Sequence, residues 1–175
     1  MNYRTKCFID IFTLVIIYVI FLYKKWKGKG KDVLLVNTLF YVYLTLVLSV
    51  TLMPVITSLP FVFNHPYVPM NLLPFDDYIS GRGDTVRQIC LNIIMMMPFG
   101  FLITIVKRQK LLTCTLKTLF FSLSIELLQP LINGTRSSDI TDVITNTIGG
   151  VFGYMLYLIF RPVVNNILSG VKSIK

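Results

Sequence analysis

Five apolar runs dominate this chain and leave few folds open to it. They are Phe8–Tyr23, Val33–Met53, Gln88–Val106, Leu111–Leu128 and Ile140–Phe160. An α-helix rises about 1.5 Å per residue, so about 20 residues cross a hydrocarbon core about 30 Å thick. The runs lack the polar stripe, every third or fourth position, that a soluble bundle turns to water. Composition agrees: 54% of the residues are apolar and 14% charged, where a soluble domain carries about a quarter charged. The chain reads as all-α, a polytopic helical membrane protein with about five transmembrane helices.

The first run is short, about 24 Å at that rise, and carries Asp10 near its start. No small-residue cleavage site follows it, so it reads as an uncleaved span and not a signal peptide. The basic stretch KKWKGKGK, Lys24 to Lys31, comes next. Pro54 and Pro60 lie at the far end of the second run, where a helix is already ending. Pro98 and Gly100 inside the third make a kink plausible. A polar loop, Pro130 to Ser138, separates the fourth and fifth runs, and Arg161-Pro162 is expected to end the fifth. Three sections follow: residues 1–32 as a span with its basic loop, 33–160 as the main membrane domain, and 161–175 as a basic tail.

The net charge of +9 is distributed unevenly. Lys24, Lys25, Lys27, Lys29, Lys31, Lys107, Arg108, Lys110, Arg161, Lys172 and Lys175 fall on one side of the expected membrane, and Lys117 is near enough to snorkel there. Arg4, Lys6, Arg82, Arg87 and Arg136 fall on the other. The positive-inside rule puts the richer side in the cytoplasm, with the N-terminus outside and the C-terminus inside. This accounts for the charge without nucleic acid, and no soluble element carries a basic face with stacking aromatics. Cys7, Cys90 and Cys114 are odd in number and far apart, with no CxxC or Cys/His cluster, so neither a zinc nor a redox site is expected. No metal or cofactor is implied.

Against this apolar background, Ser124 to Tyr154 is dense in polar groups: Glu126, Gln129, Arg136, Asp139, Asp142 and Asn146. Ionisable groups cost roughly 2.5–3.5 kcal/mol each at a bilayer centre, and less near the interface. Glu126 and Gln129 are three apart, on one face near the end of the fourth run. Asp139, Asp142 and Asn146 are three and four apart, on one face at the start of the fifth. A short loop makes the two helices antiparallel neighbours, so these faces can meet, with Arg136 in the loop between them. An Arg fork among carboxylates makes strong charge-assisted bonds and has donors left for an anion. The plainer alternative is that Asp139 caps the helix, Asp142 suits its dipole and Arg136 neutralises them. Capping does not explain Glu126, late in the preceding helix, and this favours a site.

Gln88 and Asn92 share a face four apart on the third run. Asn92 either reaches the polar cluster or bonds a neighbouring helix. Arg87 is a further candidate contact for an anionic group. NLLPFDD, Asn71 to Asp77, is apolar and non-helical around Pro74, and reads as a flap over the site or as a solvated loop. Gly149 and Gly153 form a GxxxG pattern, here expected to pack helices within the chain. His65, Arg82-Gly83-Asp84 and the acceptor-like Asn133-Gly134-Thr135 receive no role.

These pieces in order resemble the VanZ-like family of bacterial membrane proteins. The matching elements are NLLPF (Asn71 to Phe75), the N-x-x-x-x-x-P-F-G pattern of Asn92 to Gly100, IELLQ (Ile125 to Gln129), and R-x-x-D-I-T-D-V-I-T-N-T-I-G-G (Arg136 to Gly150). The resemblance covers about Asn71 to Tyr157 and leaves the first span outside. It implies a bacterial plasma-membrane protein with a four-helix core; the family's named member is associated with low-level resistance to teicoplanin, a lipoglycopeptide acting at the outer face of the membrane. The leading expectation is a binding protein for an amphiphile, a lipid head group or such an antibiotic, at the outer leaflet. Its ligand residues would be Arg87, Asn92, Glu126, Gln129, Arg136, Asp139, Asp142 and Asn146. The alternative is a membrane enzyme acting on a lipid-linked envelope precursor. There Glu126 or Asp139 would be the general base, and Arg136 would stabilise developing negative charge.

Overall fold

The computed structural model describes residues 2–62, 66–132 and 137–173. Five helices are long and apolar enough to cross a membrane. They are α1 (Tyr3–Lys27), α2 (Lys31–Thr51), α4 (Thr85–Val106), α5 (Leu111–Ile132) and α6 (Ile140–Ser173). A four-residue helix, α3 (Asp76–Ile79), lies in the long connection between α2 and α4. Among the described residues there is no strand; an isolated bridge pairs Asn71 with Asp139.

The centre of the bundle is the contact of α4 with α6, and it is made by glycine. A Cβ on Gly149 would fall on the Ile93 carbonyl, one on Gly153 on the Met97 carbonyl, and one on Gly100 on the Gly150 carbonyl. Without hydrophobic drive between helices in lipid, close backbone approach through small residues supplies the packing. The GxxxG pair therefore serves a contact within the chain. Helix α5 closes on the same face, with the Thr118 side chain against Gly150.

Helix α2 joins through Val47 and through Leu52 just past its end, which pack with Ile125 of α5, Met95 and Phe121. The Tyr43 hydroxyl donates to the Met95 carbonyl at 2.8 Å. Phe99 and Phe121 stack with centroids 4.7 Å apart. Helix α1 lies outermost, against α2. The Tyr41 hydroxyl reaches the Leu14 carbonyl at 2.8 Å, and the Tyr18 and Thr38 hydroxyls meet at 2.8 Å. Asp10 is buried, and its carboxylate accepts from the backbone N–H groups of Val55 and Ile56. The residue that interrupts the first apolar run thus ties it to the turn after α2.

These contacts fix which ends lie together. The start of α1 meets the end of α2, and the start of α6 meets the end of α5. At the opposite end Arg108 donates to Asn165 at 3.2 Å, and Lys117 folds back to Gln109 at 2.7 Å. The lysine-rich segments therefore gather at one end of the bundle, and the polar window of α5 and α6 at the other.

Two helix ends differ from the sequence expectation. Helix α6 does not stop at Arg161-Pro162 but continues to Ser173. Proline removes one hydrogen bond and crowds one carbonyl; the residues beyond it re-form the ladder. Helix α5 likewise runs through Pro130, which was expected to open the loop. Pro130 has no N–H to offer the Glu126 carbonyl one turn earlier. The buried Ser138 hydroxyl donates to that carbonyl instead, at 2.6 Å.

Candidate functional site

At the end away from the lysines, α4, α5 and α6 diverge around a cavity of about 710 Å³. Gln88, Leu91 and Asn92 line it from α4, Ile125, Glu126 and Gln129 from α5, and Asp142 and Asn146 from α6. Val50 and Thr51 of α2, Met95, Ser137 and Asp139 complete the wall, with Asp77 of α3. Six residues expected from the sequence, Asn92, Glu126, Gln129, Asp139, Asp142 and Asn146, thus share one cavity. Their three- and four-residue spacings bring them there, each pair lying one helical turn apart on an inward face.

Several of these polar groups are held by neighbours. Glu126 is 2% exposed, and its carboxylate accepts the Asp139 backbone N–H at 3.2 Å. Asp139 accepts from the Thr141 N–H at 2.7 Å, so it does cap α6, as the plainer reading held. It also faces the cavity, so capping and lining coincide in one residue. Asn92 donates to Asp142 at 2.7 Å, bridging α4 and α6. This is an interhelical bond that lies within the cluster, and both expectations for Asn92 meet in it. Asn146 donates through Nδ2 to Ser122 at 2.9 Å, while its Oδ1 is buried without a partner among the described residues.

The segment Asn71 to Asp77 is a strap over the start of α6. The Asn71 N–H donates to the Ser138 carbonyl at 2.9 Å, and the Ile140 N–H returns to the Asn71 carbonyl at 3.0 Å. The Phe75 N–H donates to Thr141 Oγ1 at 2.9 Å. Phe75 takes a left-handed conformation, φ 59°, uncommon for a bulky residue. That turn swings the chain into α3 and delivers Asp77 to the cavity rim. Arg82 pairs with Asp76 and, at 3.3 Å, with Asp77.

Two expected residues stand apart. Arg87 is not among the lining residues. Its side chain is exposed and lies 4.0 Å from Asp84, one turn earlier. Arg87 falls on α4 one position before Gln88, which turns it away from the lined face. Arg136 lies outside the described residues, as do His65 and Asn133-Gly134-Thr135. Asp77, Gln88 and Ser137 line the cavity although they were not among the expected site residues. The NLLPFDD composition flagged the strap, but no local pattern sets where it returns.

The described lining therefore presents four carboxylates (Asp77, Glu126, Asp139, Asp142), amides and hydroxyls over a floor of Met95 and Ile125, with no Lys or Arg among them. Such a lining is rich in hydrogen-bond acceptors. Among the described residues no three His, Cys, Asp or Glu side chains converge as metal ligands.

The profile of the VanZ/LLP1 family matches residues 40–161, well over half of the chain. The chain belongs to the VanZ/LLP1 family. The matched region contains every cavity residue and excludes α1. A curated relative, Protein VanZ of Enterococcus faecium, is 38% identical over 97 residues. That match takes in 55% of this chain and 56% of the relative, so the chain spans just over half the length of the relative it matches. No solved structure matches.

Proposed function

We propose that this VanZ/LLP1-family protein sits in a bacterial plasma membrane with its cavity at the outer face, and binds the polar head of an amphiphile there. The cavity itself carries the reading. It is large enough for a head group and joins the buried Glu126 carboxylate, the half-buried Asp139 and Asp142, and the buried Gln129 and Asn146 amides to apolar residues at one end of the bundle. Polar groups this deep in a membrane bundle are expensive to keep unless they serve a guest or a path. The lysine-rich opposite end supports the orientation. Kinship with Protein VanZ, and the link of VanZ-like proteins to teicoplanin, supports a lipoglycopeptide or an envelope lipid as the amphiphile, and a role in resistance.

Two experiments test this. With Glu126→Gln and Arg136→Lys expressed at the level of the parent, teicoplanin susceptibility should shift toward that of cells lacking the protein. Unchanged susceptibility in both variants removes the resistance form of the reading. Reporter fusions after Lys31 and Lys110 should report the cytoplasm and a fusion after Asp84 the outside; the reverse pattern overturns the orientation.

A further inference from the structure

The end of the bundle away from the cavity has a polar cluster of its own, built on different chemistry. Lys117 sits six residues into α5, about 9 Å from the helix start at the usual rise. Its side chain is half-buried and folds back to the α4–α5 turn, where Nζ donates to Gln109 Oε1 at 2.7 Å. The other end of that amide is also committed. Gln109 Nε2 donates to Thr104 Oγ1 at 3.4 Å, and the wholly buried Thr104 hydroxyl donates to the Gly100 carbonyl at 2.8 Å. The donors run one way, from the ammonium to the backbone of α4, so they fix how the Gln109 amide points and where the ammonium sits. In the same turn Arg108 donates to Asn165 Oδ1 of α6 at 3.2 Å.

Both cations are thus oriented by a side-chain amide oxygen. An amide positions a cation without cancelling its charge, whereas a carboxylate would do both. All eight acidic side chains are among the described residues. Helix α4 carries none of them, and α5 and α6 carry theirs at the cavity end; the lysine-rich end has Asp32, at the start of α2. Among the described residues no ion pair involves Lys107, Arg108, Lys110, Lys117 or Arg161. An ammonium has three donors and a guanidinium five, so each keeps donors beyond its amide bond. A charge held this far along a membrane helix is costly unless something answers it, and the chemistry that answers it is an anion. The neighbouring surface narrows the choice. Leu112, Leu116 and Phe120 lie one turn apart on α5 and are exposed, an apolar strip that runs from the turn past Lys117 toward the middle of the span.

We propose that the α4–α5 turn binds the phosphate of an anionic phospholipid from the leaflet at the lysine-rich end. Lys117 and Arg108 are its contacts, Gln109 is a positioning residue, and an acyl chain lies along Leu112, Leu116 and Phe120. This site is separate from the cavity and does not rest on the amphiphile reading. Scattered surface lysines attract anionic heads diffusely, each by a similar small amount; a built site concentrates the preference in Lys117 and Arg108.

The test uses the full-length protein purified in detergent, with lipid retention read by native mass spectrometry. The probes are phosphatidylglycerol and phosphatidylcholine with identical chains, and inorganic phosphate as a competitor. Phosphatidylglycerol should be retained at least about tenfold better than phosphatidylcholine, whose own ammonium offsets its phosphate. Lys117→Gln should lower that preference by about tenfold. Gln109→Leu keeps every charge and should lower it too. Lys172→Gln removes the same charge from an exposed position at the same end, and should leave the preference within about twofold of the parent. Glu126→Gln, at the cavity end, should leave it unchanged. Should Lys117→Gln not fold, Arg108→Gln at an exposed position reads the same loss.

Equal retention of the two lipids overturns the proposal. So does a loss in Lys172→Gln as large as in Lys117→Gln, which would mean diffuse attraction to a lysine-rich surface and no built site. A preference unchanged in Gln109→Leu removes its positioning role. Displacement of phosphatidylglycerol by equimolar inorganic phosphate assigns the turn to the free anion and overturns the lipid. A preference that survives Lys117→Gln and disappears in Glu126→Gln puts the lipid in the cavity, which sinks this site and leaves the amphiphile reading standing.

Discussion

Helices α1 and α6 have similar apolar stretches and opposite fates. In its first fifteen residues α1 buries one side chain, and that is the carboxylate of Asp10. Phe8, Phe12 and Phe21 are largely exposed. Helix α6 buries Thr141, Thr145, Asn146 and three glycines, with Val143 and Tyr157. In lipid the large apolar residues face out, because the solvent is as apolar as they are, and small or polar residues mark the interior. An apolar run alone therefore says that a helix crosses the membrane; its small and polar residues say what it touches. Helix α1 lies outside the family match, and its few contacts with the core run through α2 and the turn after it.

That contrast is broken most severely by enlarging a small residue of α6. Gly153→Val places bulk on the Met97 carbonyl, which belongs to backbone and does not yield. A loss of about 3 kcal/mol, the upper part of the usual overpacking range, should appear as a lower thermal unfolding midpoint in detergent and loss of monodisperse protein. The same enlargement on α1, Val15→Phe at a half-exposed position, should leave the midpoint unchanged. Next in size is Ser138→Ala. It strips the substitute donor from the Glu126 carbonyl left open by Pro130, at a cost of about 1–3 kcal/mol. It should also loosen the α5–α6 connection, seen as faster backbone hydrogen exchange around residues 126–132.

The five spans were legible because twenty apolar residues in a row admit little else. The ends were not. Whether α5 continues past Pro130 depends on Ser138, brought back by the fold after an intervening loop, and no local pattern contains that bond. Helix α6 continues past Pro162 because one missing N–H does not cancel the ladder around it. At the cavity, Glu126, Gln129, Asp139, Asp142 and Asn146 were legible because helical periodicity alone puts them on shared faces. Asp77 was not, since its place depends on the strap being pinned to Ser138, Ile140 and Thr141. Arg87 shows the converse: its charge suggested a ligand contact, and its position one residue from Gln88 sets its side chain outside the lining, near Asp84.

The link between α1 and the core is open to a finer test. Asp10→Asn keeps one acceptor for the Val55 and Ile56 N–H groups and sets an amide NH₂ against the other. About 1 kcal/mol should be lost, read as increased exchange at Val55 and Ile56 and easier proteolysis of the turn after α2. If α1 is the accessory its packing implies, lipid retention in the cavity should be the same as in the parent. A loss of retention would mean that α1 holds the cavity rim through the Val55 turn, and the separation drawn between the two regions would fall.

The smallest effect is expected at Arg87. Its side chain is exposed, and its ion pair with Asp84 at 4.0 Å is held in solvent. Exposed pairs contribute about 0–1 kcal/mol, so Arg87→Ala should shift the unfolding midpoint by little more than the error of measurement. The informative readout is ligand retention. Arg87 adjoins the cavity residue Gln88, so a contact with an anionic group at this edge of the rim would fall to it. Retention of lipid unchanged in Arg87→Ala agrees with a site confined to the lined cavity. A fall of about tenfold would put Arg87 in contact with the lipid phosphate. The rim would then extend beyond Gln88 to the exposed face of α4.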